Sequence, residues 1–403
     1  MTLFFEGGLS PMNCDSAVVF IAREPDGSAL PLLLHKILFS PAATWLCRSL
    51  QLSGVRRFFV VTEPAFLTDS AACFPPDAIV LPFDHPQLNP RLAEFAAGAQ
   101  DQVITITRPV WLSFAAAAEL AGQDFLLPPT GSSGLFRVDP SLLIRDGLDG
   151  ALRGEAYAPP LGPDPILLPL TSRAELARAQ QYARLDNLGR WMSLGTQVLD
   201  VNTVYVDVDV EIGPGTLLLP NTILRGETVI GANCELGPNT MIRDCTLGDG
   251  CVVNASQLNE SQFGNEVNIG PFAYVRPGSR VGDGCKVGDF VELKNSSLGQ
   301  GTKLPHLIYV GDSDVGAHCN FGCGSITCNY DGNFKYRTTV GDNVFIGCNT
   351  NLVSPCQVGD GAYTAAGTTL TGPVPADALA IGRAEPAYKE GWAARHRAKK
   401  SNP

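Results

Sequence analysis

Between Ile212 and Gly359 an aliphatic or Phe residue followed by Gly returns again and again, as in Ile212-Gly213, Ile230-Gly231, Phe263-Gly264, Val281-Gly282, Val315-Gly316 and Val358-Gly359. The glycines recur at intervals of roughly six residues or its multiples, the beat of a parallel β-helix in which each coil stacks on the last. In such a coil the apolar residue before each Gly fills the inside. The Gly and its polar followers are expected to turn the corner. This repeat occupies about half the chain and leaves few places for chemistry other than where the beat fails.

The chain has 403 residues, enough for two or three domains. A hydrophobic content of 45% with 17% charged residues describes an ordinary globular protein. The formal net charge of −11 argues against nucleic acid or an anionic membrane as a general partner. No stretch approaches the roughly 18 apolar residues of a membrane span, and the N-terminus lacks the basic-then-apolar order of a signal peptide. None of the 12 cysteines forms a Cys-x-x-Cys pair. Cys319, Cys323 and Cys328 cluster without zinc-ligand spacing. Packed, reduced thiols and a cytoplasmic location are therefore expected, with no metal site.

The first part reads as alternating α/β. Residues 16–22, 56–62 and 102–107 look like buried strands, and 42–52 and 91–97 like helices, which favours a largely parallel sheet covered on both faces. The Pro-rich stretch 158–169 reads as a surface connection. Ser172-Arg173-Ala174-Glu175 has the form of a capping box, with Leu176, Ala179 and Ala183 following at helical spacing and Gly189 placed to end the helix. The expected organisation is an α/β domain over 1–171, a connector helix over 172–195, a β-helix over 196–383 from near Val198, and a basic tail over 384–403 (Arg395, Arg397, Lys399, Lys400).

Two stretches interrupt the hexads, 301–309 and 327–335. Both combine His, Tyr, Asn or Lys with other polar residues, and loops ejected from a rigid solenoid are natural hosts for a site. The motifs around them are Ile-Gly-Pro-Phe-Ala-Tyr-Val-Arg-Pro-Gly (269–278), Gly-Asp-Phe-Val-Glu-Leu-Lys (288–294), His-Leu-Ile-Tyr-Val-Gly-Asp (306–312), Ile-Thr-Cys-Asn-Tyr-Asp-Gly (326–332), Val-Phe-Ile-Gly (344–347), Ala-Ala-Gly-Thr (365–368) and Lys-Glu-Gly-Trp (389–392). Through these, residues 269–392 closely resemble the acetyltransferase domain of the bacterial bifunctional N-acetylglucosamine-1-phosphate uridyltransferase/glucosamine-1-phosphate N-acetyltransferase family.

The resemblance implies a left-handed β-helix and a homotrimer with sites between subunits; neither follows from the spacing, since parallel crossovers are normally right-handed. It also implies acetyl transfer from acetyl-CoA to glucosamine 1-phosphate, which would feed UDP-N-acetylglucosamine and cell-wall precursor synthesis. That chemistry needs an unprotonated amine, a base and donors for an oxyanion. The match gives His306 as the base; His35, His85, His318 and His396 match no role. Arg276 and Lys294 match the ligands of the sugar phosphate, and Tyr309, Asn320 and Lys335 the rest of that pocket, with arginine suited to fork around phosphate oxygens. Asn329, Tyr330, Cys323, Cys348, Ala366 and Arg383 match the acetyl-CoA contacts. Cys323 stands where Ala is usual and Cys348 where Ser is usual, and a thiol is a poor donor.

The first part departs from the same family, whose N-terminal domain is a nucleotidyltransferase. In place of the Gly-rich phosphate loop the chain has Arg23-Glu24-Pro25-Asp26-Gly27-Ser28-Ala29-Leu30-Pro31-Leu32, where only Pro31 and His35 echo the motif. Thr107-Arg108-Pro109 replaces a Gly-Asp metal motif, and a cation there opposes a divalent ion. Thr171 or Ser172 replaces the second metal ligand, and Gly134-Leu135-Phe136-Arg137 faintly echoes a sugar-contacting segment. The expectation is a nucleotidyltransferase-like domain that has lost uridyltransferase activity and its use of Mg²⁺. Other readings stay open: a bifunctional enzyme with residual uridyltransfer, another amino-sugar acceptor, or a non-catalytic β-helix scaffold. A carbonic-anhydrase-like metal site is disfavoured, because His306 and His318 do not supply the spacing of a ligand trio.

Overall fold

A computed structural model describes residues 14–24, 29–114, 134–156 and 167–400. Residues 25–28 of the altered phosphate loop and most of the Pro-rich stretch, 158–166, lie outside the described residues. The chain divides into two compact units, Met1–Asp244 and Cys245–Pro403.

In the first unit, Ser16–Ile21 pairs in parallel with Arg57–Thr62 and Val103–Ile106, and Arg57–Thr62 with Ile79–Pro82. Successive side chains of a strand point to opposite faces. Ala17, Val19 and Ile21 accordingly enter a core with Trp45 and Leu46, while Val18 joins Phe59, Leu92 and Phe95 on the other side. Helices Ala42–Leu52 and Leu88–Ala97 supply those partners. The second starts before the expected 91, because Pro90 falls in the first turn, where no intrahelical N–H is needed. Leu135–Val138 runs antiparallel to Val103–Ile106, so the sheet is mixed. The Gly134–Arg137 segment is thus largely a structural strand, with Leu135 and Phe136 buried.

The connector helix is Arg173–Ser193, and the Ser172 hydroxyl accepts from the Glu175 N–H at 3.3 Å. It does not end at Gly189. Leu188 and Trp191 are buried on either side, and their packing outweighs the roughly 1 kcal/mol that an internal glycine costs. The chain leaves the helix at Gly195, with φ 97°. Asn187 of this helix donates to the carbonyls of Val206 and Asp207 at 2.9 and 3.2 Å. Ser40 and Arg48 bind Asp207 and Asp209. These bonds tie the α/β elements to the first coils.

Coils begin at Gln197–Val198. In Met1–Asp244 the strands Gln197–Val198, Leu217–Leu218 and Glu235–Leu236 stack in parallel register, as do Tyr205–Val206, Ile223–Arg225 and Met241–Arg243. A third stack pairs Glu211–Ile212 with Val229–Ile230. In Cys245–Pro403 three parallel stacks follow the same plan. The expected fold class is therefore present: an α/β domain followed by a parallel β-helix of hexads. The apolar residues before the glycines, among them Ile212, Leu236, Ile269, Leu298, Phe321 and Ile346, are all buried.

The glycines and their followers turn the corners as expected, as at Gly282 before the turn Asp283-Gly284, and the glycines serve a second purpose. Most have ordinary φ, and the left-handed residue comes two positions later, as at Gly301 after Gly299. A Cβ on Gly299 would sit 2.5 Å from Gly316 C and Ala317 N. The glycine is thus demanded by the next coil's backbone.

The two interruptions differ from each other. Residues 301–309 are not ejected: Lys303–His306 and Tyr309–Gly311 are regular strands, and the coil is merely shortened, so that Asp289 and His306 are stacked partners 17 residues apart. Of 327–335, Thr327 and Cys328 stay in the coil as part of the strand Ile326–Cys328, and Tyr330–Lys335 leave it. Tyr330 and Lys335 form an antiparallel bridge there, and Asp331 caps the tip by accepting from the N–H groups of Asn333 and Phe334. Past Gly382 the basic tail forms a helix, Trp392–Lys400, whose described side chains are exposed. Among the described residues no helix is long and apolar enough to cross a membrane.

Candidate active site

Asp289, His306, Cys323, Cys348 and Ala366 each lie two positions after an inward-facing residue, at one corner of successive coils. The registers Val287↔Leu304, Lys303↔Asn320, Phe321↔Ile346 and Phe345↔Tyr363 place them on one ladder. Backbone bonds climb it, from Asn349 N–H to Cys323 O and from Gly367 N–H to Cys348 O, each 2.8 Å. Arg383 closes its end, donating from Nη1 to Ala366 O at 2.8 Å.

His306 Nδ1 meets Asp289 Oδ1 at 2.5 Å, and both side chains reach solvent. The bond from His306 holds the Asp289 carboxyl below the usual carboxylate range. In a neutral imidazole an acceptor at Nδ1 favours the tautomer with the proton there, which leaves the Nε2 lone pair open. Replacing Asp289 by Asn should therefore lower kcat for an amine acyl transfer while leaving KM for the acyl donor nearly unchanged. Steady-state kinetics with varied donor would read this, and an unaltered kcat would refute the orienting role.

After the turn at Leu307 and Ile308 the next face carries Arg276, Lys294 and Tyr309. Lys294 Nζ pairs with Asp312 at 2.8 Å, and the same carboxylate accepts from Asn295 at 2.7 Å and Asn329 at 2.5 Å. Burial alone would raise the Asp312 pKa, but these three donors hold it below its ordinary value. Arg276 Nη1 contacts Glu292 at 3.0 Å, and that carboxylate raises the guanidinium pKa. Each cation keeps further N–H donors for a ligand. Tyr309 stacks in register between Glu292 and Ile326. Gly311 leaves space under both Tyr309 and Asn329: a Cβ there would come within 3.0 Å of Asn329 Nδ2 and closer still to the Tyr309 hydroxyl.

The expected residues thus fall on two faces of one chain. Arg276, Lys294, Tyr309 and Asn329 share one. His306, Cys323, Cys348, Ala366 and Arg383 follow the corner before it, and Asn320 lies on the face leading to that corner, between Lys303 and Phe345. Tyr330 and Lys335 stand on the ejected hairpin. His306 and Asp312 are separated by the turn and the strand Tyr309–Gly311, about 10 Å of extended chain.

Sequence reasoning missed Asp289, Glu292, Asn295, Gly311 and Asp312. The signal was present in the coil length. A step of one coil from His306, Lys294 or Asn329 lands on or beside an acidic partner, since Asp289 precedes His306 and Asp312 precedes Asn329 by 17 residues and Lys294 precedes Asp312 by 18.

The bacterial transferase hexapeptide (six repeats) family matches residues 209–244, 260–295 and 337–372. The Bifunctional protein GlmU of Clostridium botulinum (strain Langeland / NCTC 10281 / Type F) is 44% identical over 226 residues, 56% of this chain and 50% of that protein. The Bifunctional protein GlmU of Maricaulis maris (strain MCS10) is 60% identical over 111 residues, 28% of this chain and 25% of that protein. The chain thus spans half or less of the length of these curated relatives. Among solved structures, an Arabidopsis UDP-N-acetylglucosamine acyltransferase aligns with 16% identity and a TM-score of 0.34, over 48% of this chain and 75% of that one. The chain carries bacterial transferase hexapeptide repeats and is similar to the GlmU proteins over part of its length.

Proposed function

We propose that this protein transfers the acetyl group of acetyl-CoA to the amine of glucosamine 1-phosphate. The observation that carries the reading is the His306–Asp289 pair, an imidazole with one nitrogen anchored and the other free, at the head of the Cys323–Cys348–Ala366 ladder. The amine nitrogen attacks the thioester carbonyl carbon, the N–C bond forms, the C–S bond breaks and CoA leaves as a thiolate. His306 Nε2 takes the proton that the amine must lose. Arg276 and Lys294 hold the phosphate, with Tyr309, Asn320 and Lys335 around the sugar. The ladder, Asn329, Tyr330 and Arg383 hold the acyl donor.

A homotrimer would bring the two faces together from neighbouring subunits. The exposed Phe272 and Phe290, stacked at 5.3 Å, and the exposed Phe345 and Tyr363, stacked at 5.4 Å, are apolar surface that such an assembly would cover. A cytoplasmic location and a role in supplying UDP-N-acetylglucosamine belong to the same reading. The test is release of CoA thiol from acetyl-CoA with glucosamine 1-phosphate, in competition with other amino sugars. A faster rate with another acceptor would move the assignment to that sugar.

The N-terminal domain is proposed to lack uridyltransferase activity. Arg23, two residues past the first strand, is held by Glu63 through two bonds of 2.8 Å, one from its backbone N–H and one from Nε. This pair spans the carboxyl ends of adjacent parallel strands, where ligands of such sheets bind. Ser172, at a position of the second metal ligand, is engaged as a helix cap. With Mg²⁺, UTP and N-acetylglucosamine 1-phosphate, the preparation that releases CoA thiol should form no UDP-N-acetylglucosamine, followed by chromatography. Formation of that product would overturn the loss.

A further inference from the structure

The corner ladder puts two thiols where the acyl donor is proposed to lie. Cys323 and Cys348 are in register on adjacent coils, set by Phe321↔Ile346 and by the bond from Asn349 N–H to Cys323 O at 2.8 Å. In-register neighbours in parallel strands lie about 4.8 Å apart, inside the roughly 4.4–6.8 Å Cα separation that a disulfide spans. Two steps down the same ladder, Asp289 and His306 occupy the equivalent positions and their side chains touch, which shows that stacked side chains at this corner can project the same way and meet. Nine of the 12 cysteines are buried; Cys348 is exposed and Cys323 and Cys328 are half-buried. Cys328 lies on another sheet and faces Val353 in its register, which leaves Cys323 and Cys348 as the pair that is both accessible and stacked.

We propose that Cys323 and Cys348 form a reversible disulfide under hydrogen peroxide, closing the acyl-donor track beside His306. The exposed Cys348 sulfur attacks one peroxide oxygen, the O–O bond breaks, and Cys348 becomes a sulfenic acid as the first water leaves. Cys323 sulfur then attacks Cys348 sulfur, the S–S bond forms, the S–O bond breaks, and the hydroxide departs with the Cys323 proton as a second water. Two thiols are oxidised and one peroxide is reduced. A dithiol reductant reverses the step by exchange. The crosslink draws the two side chains together at the positions proposed to face the acyl donor. This consequence rests on the acetyltransferase reading, whereas the disulfide itself does not.

The test treats the full-length protein with hydrogen peroxide, blocks remaining thiols with iodoacetamide and maps peptides by mass spectrometry without reduction. The expected result is a peptide pair joined through Cys323 and Cys348, absent in Cys348→Ser and in Cys323→Ala. Turnover, taken as the treated-to-untreated ratio within each protein, falls in wild type in proportion to the crosslinked fraction and returns with dithiothreitol; the ratio stays near one in both variants. Recovery of both cysteines alkylated after treatment overturns the proposal. So does an equal, dithiothreitol-reversible loss in the variants. A crosslink in a protein that releases no CoA thiol even before treatment supports the disulfide and refutes the acetyltransferase reading instead.

Discussion

His306→Ala is expected to lower kcat for acetyl transfer to glucosamine 1-phosphate by about 10²–10⁴, the span associated with a positioned general base. KM for acetyl-CoA should change little, because the donor is proposed to lie along Cys323, Cys348 and Ala366 rather than on the imidazole. The amine of the acceptor must shed a proton as the C–N bond forms, and Nε2 is the ring nitrogen that the Asp289 contact leaves open. Asp289→Asn tests the same pair more gently, since the amide keeps the shape of the carboxylate and loses its charge. The measurement is CoA-thiol release at saturating acceptor. A His306→Ala enzyme with undiminished kcat would remove the proposed base.

Asp312→Ala is expected to destabilise the fold of the second unit by about 3 kcal/mol, the low end for removing one partner of a buried ion pair. The carboxylate is 8% exposed and its Lys294 partner 16%, so some water reaches the cation and moderates the loss. Asn295 and Asn329 lose an acceptor in the same change, and an unmatched buried donor has its own cost. Asp312→Asn should cost less, because it keeps a carbonyl oxygen in the cluster. Urea unfolding of both variants, followed by far-UV circular dichroism, reads the difference. A change for Asp312→Ala within about 0.5 kcal/mol, the range of ordinary surface substitutions, would sink the argument. The sign of the pH dependence follows from the same cluster. The Asp312 pKa is depressed in the folded protein, so its stabilisation is complete above the unfolded carboxylate's pKa, near 4. It is lost as pH falls through the lower folded value. Asp312→Asn should lack this acid-side loss. The site suffers too: Lys294 and Asn329 are held by Asp312, and KM for the sugar phosphate should rise.

Legibility varied with the physics behind each element. The strands at 16–21, 57–62 and 103–106 and the helix Ala42–Leu52 could be read because burial on one or both faces leaves a local apolar pattern. The helix runs on past Gly189 because Trp191 is buried, a contact that leaves no local signal in the sequence. The 301–309 stretch looked like a loop because its hexad is one residue short, yet backbone pairing absorbed the deficit within the coil. In the 327–335 stretch Thr327 still faces inward in the strand Ile326–Cys328, and it is Tyr330–Lys335 that leave the coil.

The repeating frame is written in the amino-acid order alone, because the inside of a β-helix accepts an apolar residue at each hexad and the next coil's backbone excludes a Cβ beside it. The sequence motifs also singled out His306, Arg276, Lys294 and the residues around them. The partners come from the stacking of the coils. Asp289 behind His306, Asp312 beneath Lys294 and Cys323 against Cys348 are a full coil apart in the chain and adjacent in space. Coil lengths of 17 and 18 residues, with a 25-residue coil at the hairpin, set which residue meets which. A shift of one residue in any coil would bring a different side chain to each partner, and only the hydrogen-bonded register of stacked strands fixes that shift.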